Sequence, residues 1–113
     1  MPQFLMRFSY APPALRELVQ RQEVDPAAEA SALVNSLGGK VLGYWYAFGA
    51  FDGVALIEAP GNETPAAIAI AIGGTGAVSK VETTVLVTME QANAAIRSAA
   101  SAKHLPPSNV ESQ

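Results

Sequence analysis

The sequence of 113 residues contains no cysteine and a single histidine, His104. Without thiols it has no disulfide framework, no thiolate nucleophile and no cysteine-based zinc or iron–sulfur site. Only 15% of the residues are charged, and the seven Lys and Arg side chains are scattered along the chain. Because nucleic acids are bound by clustered basic residues, this pattern and a net charge of -3 argue against nucleic acid as a partner.

Long apolar runs are also missing. No run reaches the roughly 20 residues of a transmembrane helix, and the N-terminal MPQFLMRFSY lacks the basic start, apolar core and cleavage site of a signal peptide. We therefore expect a soluble cytoplasmic protein that does not bind membranes. Half of the residues are nonetheless hydrophobic, which predicts that a single domain of this length hides part of its surface in an oligomer.

The most aromatic stretch, residues 37–60, predicts two strands joined by a glycine-containing turn. Strict alternation along Val41–Phe48 puts one set of side chains on each face of the sheet. The first set is Leu42, Tyr44, Tyr46 and Phe48, and the second is Val41, Gly43, Trp45 and Ala47. Since small side chains suit the close approach of a helix, we expect the first set, with its two tyrosines, on the face that the helices leave open.

The rest of the chain completes a β-α-β-β-α-β-α order. Strands are expected at Gln3–Tyr10, Val41–Phe48, Val54–Ala59 and Val78–Val87, and helices after Pro12–Pro13, Asp25–Pro26, Thr64–Pro65 and Thr88. Residues 66–72 are ambiguous, because their isoleucines alternate as in a strand. The alanines and the helix-start signal Thr64–Pro65 nevertheless favour a helix. Because this helix would be apolar all round, we expect another subunit to cover its outer side.

This order predicts an α+β, ferredoxin-like fold in which a four-stranded antiparallel sheet carries its helices on one side. Residues 1–103 would form the domain, and residues 104–113 a flexible tail. The other face of the sheet would be bare, and two such faces packed together would bury it. The expected partner is therefore a second copy of the chain, as a homodimer or a larger homo-oligomer.

Several short motifs together resemble the GYD-domain family, small bacterial proteins related to dimeric α/β-barrel proteins. They are the strand that ends at Ser9-Tyr10, the step Leu37-Gly38-Gly39-Lys40, the aromatic strand, the turn Gly49-Ala50-Phe51-Asp52, the strand end Glu58-Ala59-Pro60 and Gly76-Ala77-Val78. The resemblance implies a ferredoxin-like dimer or larger oligomer, and it brings no settled reaction. Phe51 stands where tyrosine is usual, so a role of that hydroxyl does not carry over.

Polar residues on the predicted open face suggest a ligand site between two sheets. Arg7 would lie on a central strand between the strands that carry Glu58 and Glu82, with Tyr44 and Tyr46 nearby. Such a site would bind a small aromatic or acidic metabolite. Alternatively, a cofactor-independent monooxygenase, isomerase or decarboxylase would use Arg7, a tyrosine and a carboxylate as base. A third interpretation is structural, with Arg7 paired to a glutamate in the dimer core.

Three further residues have competing interpretations. Asp52 lies at the mouth of the proposed site, yet aspartate at such a position is more typical of a turn. His104 would either bind haem iron or stabilise a helix C-terminus, and we predict no cofactor and no metal. Pro2 would be a catalytic amine in a tautomerase, although the strand order differs from the repeated β-α-β units of those enzymes.

Overall fold

A computed structural model describes residues 1–22 and 25–103 of the chain. His104 and the predicted tail, residues 104–113, lie outside the described residues. The described part forms four strands and four helices: β1 (Gln3–Tyr10), α1 (Pro12–Arg21), α2 (Pro26–Ser36), β2 (Lys40–Tyr46), β3 (Gly53–Glu58), α3 (Glu63–Gly74), β4 (Val78–Leu86) and α4 (Met89–Ala100). The predicted order of strands and helices is confirmed, including the helix at residues 66–72.

The four strands form one antiparallel sheet in the order β2-β3-β1-β4. Two strands that are far apart in sequence, β1 and β4, are neighbours, and β1 lies in the interior between β3 and β4. With α2 and α3 packed against one face, this arrangement is the α+β, ferredoxin-like fold that the sequence predicts. Among the described residues, no helix is both long and apolar enough to cross a membrane.

The hydrophobic core lies between the sheet and the helices. On β1 and β3 every second side chain is buried, which is the pattern of strands with one face toward a core. The core cluster comprises Phe4, Met6, Phe8, Val34, Ala55, Ile57, Ala59 and Ile68. Phe4 and Ile57 are its largest fully buried side chains, at 0% and 1% exposure. We refer to this side of the sheet as the helix face and to the other side as the open face.

Local signals determine where two of the helices begin. The Asp25 carboxylate accepts a hydrogen bond from the N–H of Ala28 at 3.1 Å, and Pro26 takes the first helical position of α2. At the start of α4, the Thr88 hydroxyl accepts from the Gln91 N–H, and the Gln91 side chain accepts from the Thr88 N–H. Thr88 and Gln91 thus form a capping box, which gives partners to two N–H groups that would otherwise lack them and confirms the helix start predicted at Thr88.

The expected position of the tyrosines on the open face is wrong. Val41 pairs with Ile57 and Gly43 with Leu56, so the register shifts between them and Leu42 is an extra residue, a β-bulge. Because of this shift, Val41 and Tyr44 both pack against the core on the helix face. Tyr46 follows Tyr44 by two residues on β2 and pairs with Gly53, so it points to the same side.

Gly43 also has a different role from the one its size suggested. It lies on the open face, and a Cβ atom there would be 2.4 Å from the ring of Trp45. The glycine therefore makes room for an indole and not for a helix. Trp45 itself remains 55% exposed on the open face, next to its partner Val54.

Two helices leave apolar surface uncovered in the single chain. In α3, Ile68 is buried in the core while Ile70 is 75% exposed. In α4, no residue is buried within the described part of the chain, and Met89 and Ile96 are mostly exposed. The cover that the sequence predicts for the outer side of α3 therefore does not come from the described residues of this chain.

Candidate functional site

Arg7 and Glu82 form an ion pair on the open face. They are direct neighbours in the pairing of β1 with β4, and an Arg7 Nη2–H donates to Glu82 Oε1. The Arg7 guanidinium lies 4.8 Å from the centre of the Phe51 ring, and the Lys80 ammonium lies 4.7 Å from the same ring. Two cations therefore contact one aromatic ring, which is itself only 8% exposed.

Glu58 does not join this cluster. Arg7 pairs with Val54 on β3, whereas Glu58 pairs with Gln3 on β1 and with Lys40 on β2. Four residues along a strand separate Val54 from Glu58, a distance of about 13 Å. Of the two glutamates predicted beside Arg7, the structure therefore brings only Glu82 to it.

Asp52 holds the loop after β2 against the end of β1. Its Oδ2 accepts a hydrogen bond from the Tyr10 N–H at 2.9 Å, and its own N–H donates to the Phe8 carbonyl at 2.9 Å. The Asp52 carbonyl in turn accepts from Ala47 at 2.8 Å. These three bonds give Asp52 the turn-forming role that was the alternative to a catalytic one.

A cleft of about 520 Å³ opens on the helix face, between the sheet and helices α1, α2 and α3. Aromatic and aliphatic residues of the sheet form its floor, chiefly Phe8, Tyr10, Tyr44 and Ala55. Leu18 of α1, Leu33 of α2 and Ile72 of α3 belong to its walls. Helix α1 contains no buried residue within the described part of the chain, so it stands over the sheet without closing the gap.

The Tyr10 and Tyr44 hydroxyls meet at the floor of this cleft, 3.1 Å apart. Burial raises the pKa of Tyr44 far above its ordinary value, and the hydrogen bond to Tyr10 adds to the shift. Burial likewise raises the pKa of Tyr10, although the bond to Tyr44 acts in the opposite direction there. Both groups are therefore neutral at physiological pH and act as hydrogen-bonding hydroxyls, not as phenolates.

A row of aromatic rings leads from the cleft to the surface. The Phe8 ring lies 5.8 Å from Tyr10 and 5.7 Å from Tyr44, and Tyr46 lies 6.5 Å from Tyr44. Tyr46 in turn stacks on Phe48 at 6.1 Å, where both rings are exposed. Such edge and offset contacts are the favourable geometries of aromatic pairs.

Tyr10 is not among the residues that the sequence predicts for the site. A signal for it exists, because Tyr10 has the same parity along β1 as Phe4, Met6 and Phe8, which are the buried side of that strand. Tyr44 was predicted, but for the wrong face, because the bulge at Leu42 leaves no obvious mark in the sequence.

Charged groups at the cleft are few. Among the described residues that line it, Glu17 and Arg21 of α1 and Glu29 of α2 are charged. Arg21 Nη1–H donates to Glu17 Oε1 at 3.1 Å, one helical turn away. Nowhere in the described residues do three or more His, Cys, Asp or Glu side chains come together as a metal site.

The family model of the GYD domain matches residues 4–96 of the chain. The chain belongs to the GYD-domain family. This confirms the resemblance to that family which the sequence motifs indicate. No curated protein matches the chain in sequence.

Two solved structures are similar to this GYD domain. The crystal structure of FFRP-DM1 has 12% sequence identity and a TM-score of 0.48, and the match covers 77% of this chain and 100% of that one. The crystal structure of MtbAldR has 15% identity and a TM-score of 0.50, covering 77% of this chain and 52% of that one. At this level of identity, the likeness to MtbAldR supports the fold alone, and the GYD domain spans about half the length of that protein.

The predicted catalytic combination does not assemble in this GYD domain. Arg7 and Glu82 lie on the open face, whereas Tyr44 lies in the cleft on the helix face. The sheet itself separates them, so these groups of one chain cannot contact the same small substrate. The predicted convergence of Arg7 with the tyrosines is therefore wrong, for the same reason that the tyrosine face is wrong.

Proposed function

We propose that this GYD domain is a self-associating protein that binds a small, mainly apolar molecule in the cleft between its sheet and helices α1 to α3. The observation that carries the proposal is a cleft of about 520 Å³ with a pair of hydrogen-bonded tyrosines at its apolar floor. Ligand sites typically measure about 300–1,000 Å³ and combine apolar walls with a few polar groups. The proposed ligand site therefore lies on the helix face, and not between two sheets as the sequence suggests.

Self-association is the second part of the proposal, with a further copy of the chain as the partner. The open face presents Leu5, Val54 and Leu56 as half-buried side chains, and Trp45 is largely exposed beside them. A second sheet packed on this face would remove them from water, which is the main favourable contribution to association. Arg7 and Glu82, predicted as ligand residues, would then belong to the interface.

Helix α4 provides a further argument. It has 12 residues, and its apolar side chains Met89 and Ile96 are exposed. An isolated helix of this length is marginally stable in water, so α4 needs another surface against which to pack. A second copy would supply that surface.

A cytoplasmic location and a bacterial source stay predictions.

Cleft-filling variants test the ligand site. Ala30 of α2 lines the cleft, whereas Ala32 of the same helix is exposed and does not. Nile red, a neutral dye that fluoresces in apolar surroundings, should bind to the native protein and to Ala32→Phe with similar affinity. In Ala30→Phe the added ring would occupy the cleft, and binding should weaken at least tenfold. Equal binding to both variants would place the dye elsewhere and refute the proposed site.

Native mass spectrometry of the protein purified from the producing cell tests both parts together. The proposal expects an oligomer as the main species and an additional mass of a few hundred daltons that Ala30→Phe abolishes. A monomer at micromolar concentration would refute self-association, and the Nile red result would decide on the cleft separately.

A further inference from the structure

We infer that the cleft selects an uncharged, flat molecule of two to three rings that carries one hydrogen-bond acceptor, such as a carbonyl or ester oxygen. This inference rests on the proposed function and specifies the class of its ligand. It differs from the acidic metabolite that the sequence suggested, because the structure moves the site away from Arg7.

The number of acceptors follows from the tyrosine pair. Each hydroxyl has one proton to donate. With the two oxygens 3.1 Å apart, one proton lies between Tyr10 and Tyr44, and the described residues offer no other partner to either hydroxyl. One O–H therefore remains to point into the cleft. Burial raises the pKa of both phenols, so this O–H keeps its proton and would donate to an acceptor on the ligand.

The preference for a neutral ligand follows from the charges at the cleft. Among the described residues that line it, Glu17 and Arg21 already form an ion pair, which leaves Glu29 as the net charge. Glu29 is close enough to both tyrosines to raise their pKa through its negative charge. A ligand anion would be desolvated beside a net negative charge, and the cation at the cleft, Arg21, is already paired with Glu17, so an anion is disfavoured.

The size and flat shape of the ligand follow from the volume of the cleft and from its aromatic floor. A dry cavity of about 150 Å³ can hold one benzene molecule. A cleft of about 520 Å³ has space for a molecule of two or three rings. The floor includes the rings of Phe8, Tyr10 and Tyr44, and the two tyrosines are only half-buried, so they offer ring surface against which a flat ligand can pack.

Three probes that share the naphthalene ring system test the inference. Methyl 2-naphthoate is neutral with an ester acceptor, 2-naphthoate is the corresponding anion, and 2-ethylnaphthalene has no acceptor. Their affinities would be measured by displacement of Nile red at pH 7.5. We expect the ester to bind at least about tenfold more tightly than the anion, and about fivefold more tightly than the hydrocarbon.

Two variants identify the side chains that cause the preference for the ester. Tyr10→Phe combined with Tyr44→Phe removes both donors and leaves the shape of the floor, and losing both partners together is nearly neutral for folding. In this double variant the ester should lose its advantage over the hydrocarbon. Glu29→Gln should reduce the difference between ester and anion, because it removes the like charge.

The outcomes separate this inference from the proposed function. If none of the probes binds, or if Ala30→Phe binds all of them normally, the proposed function itself fails. If Ala30→Phe blocks all three but the anion binds as tightly as the ester, the site exists and the inferred ligand class is wrong. An ester preference that survives in the double tyrosine variant would also overturn it, because the donor would then lie elsewhere.

Discussion

Replacing Gly53 by alanine should destabilise the fold and narrow the cleft at the same time. Gly53 lies on β3 directly opposite Phe8 on β1. A Cβ atom at Gly53 would lie 2.4 Å from Cε2 and 2.6 Å from Cζ of Phe8. Since ordinary contact begins near 3.4 Å, the Phe8 ring would have to move by about 1 Å, away from the sheet and into the cleft.

The magnitude depends on how freely Phe8 can move. The residue is 6% exposed, and its ring is held between Tyr10 and Tyr44. Extra atoms in a packed core typically cost about 1–3 kcal/mol, because side chains leave their preferred rotamers. For a domain of this size each kcal/mol lowers the Tm by roughly 4 °C, so we expect a decrease of about 4–12 °C.

The assay is thermal unfolding followed by far-ultraviolet circular dichroism. All variants must be compared at one protein concentration, because association raises the Tm. Gly73→Ala is the matched control, since a Cβ there has no neighbour within 4 Å and the residue lies in α3. Alanine in a helix is more favourable than glycine, so Gly73→Ala should leave the Tm unchanged or raise it slightly.

A second readout links the core to the site. The displaced Phe8 ring should reduce the affinity for methyl 2-naphthoate in Gly53→Ala and leave it unchanged in Gly73→Ala. If the two variants unfold at the same temperature and bind the ester equally, Phe8 does not lie over Gly53. The arrangement of β1 and β3 that forms the cleft floor would then be wrong.

Three other predictions concern the tyrosines, the open face and α4. Because burial raises the pKa of Tyr10 and Tyr44 above the ordinary value of 10.0, their contribution to stability should be complete below pH 10 and decrease above it, as the unfolded chain releases protons that the folded chain retains. The decrease should approach about 1.4 kcal/mol per pH unit for Tyr44, whose pKa is raised far above its ordinary value, and Tyr10 should add to it. Urea unfolding between pH 9 and 11 should show a smaller loss of stability in the double Tyr→Phe variant. Leu56→Lys should place a charge at the centre of the open face and shift the oligomer toward monomer in sedimentation equilibrium, whereas Ala32→Lys, at an exposed position of α2, should not. A fully associated Leu56→Lys protein would exclude this face as the interface. Thr88→Ala should remove one half of the capping box, cost about 1 kcal/mol and accelerate amide exchange in the first turn of α4 roughly fivefold; unchanged exchange would mean that other contacts fix that end.

The parts of the fold that the sequence predicts well are those determined by local signals. Asp25 followed by Pro26 provides a cap and a restricted first residue, and α2 begins there. Thr88 and Gln91 determine the start of α4 in the same way. Alternation along β1 and β3 predicts strands, because each buries one side. These signals need no information about distant parts of the chain.

The candidate site was predicted less well, because it depends on contacts that are distant in sequence. Tyr10 and Tyr44 are 34 residues apart, and only the pairing of β1, β3 and β2 brings their hydroxyls together. The width of the cleft depends on how closely α1 approaches the sheet. Neither the composition of α1 nor its periodicity determines that distance. The pairing of Arg7 with a glutamate is one of three interpretations that the sequence allows, and the structure shows that the glutamate is Glu82 of the same chain.

One residue decides the two faces of the aromatic strand. Side chains alternate along a strand, so a shift of one residue moves all the following side chains to the other face. If Leu42 were paired like its neighbours, with no bulge, Val41, Gly43 and Trp45 would share the helix face, and both Tyr44 and Tyr46 would face the open side. With the bulge, Tyr44 meets Tyr10 in the cleft, and Trp45 lies over Gly43 on the open face. A single unpaired residue thus gives one strand both a phenol that faces the cleft and an indole on the open face.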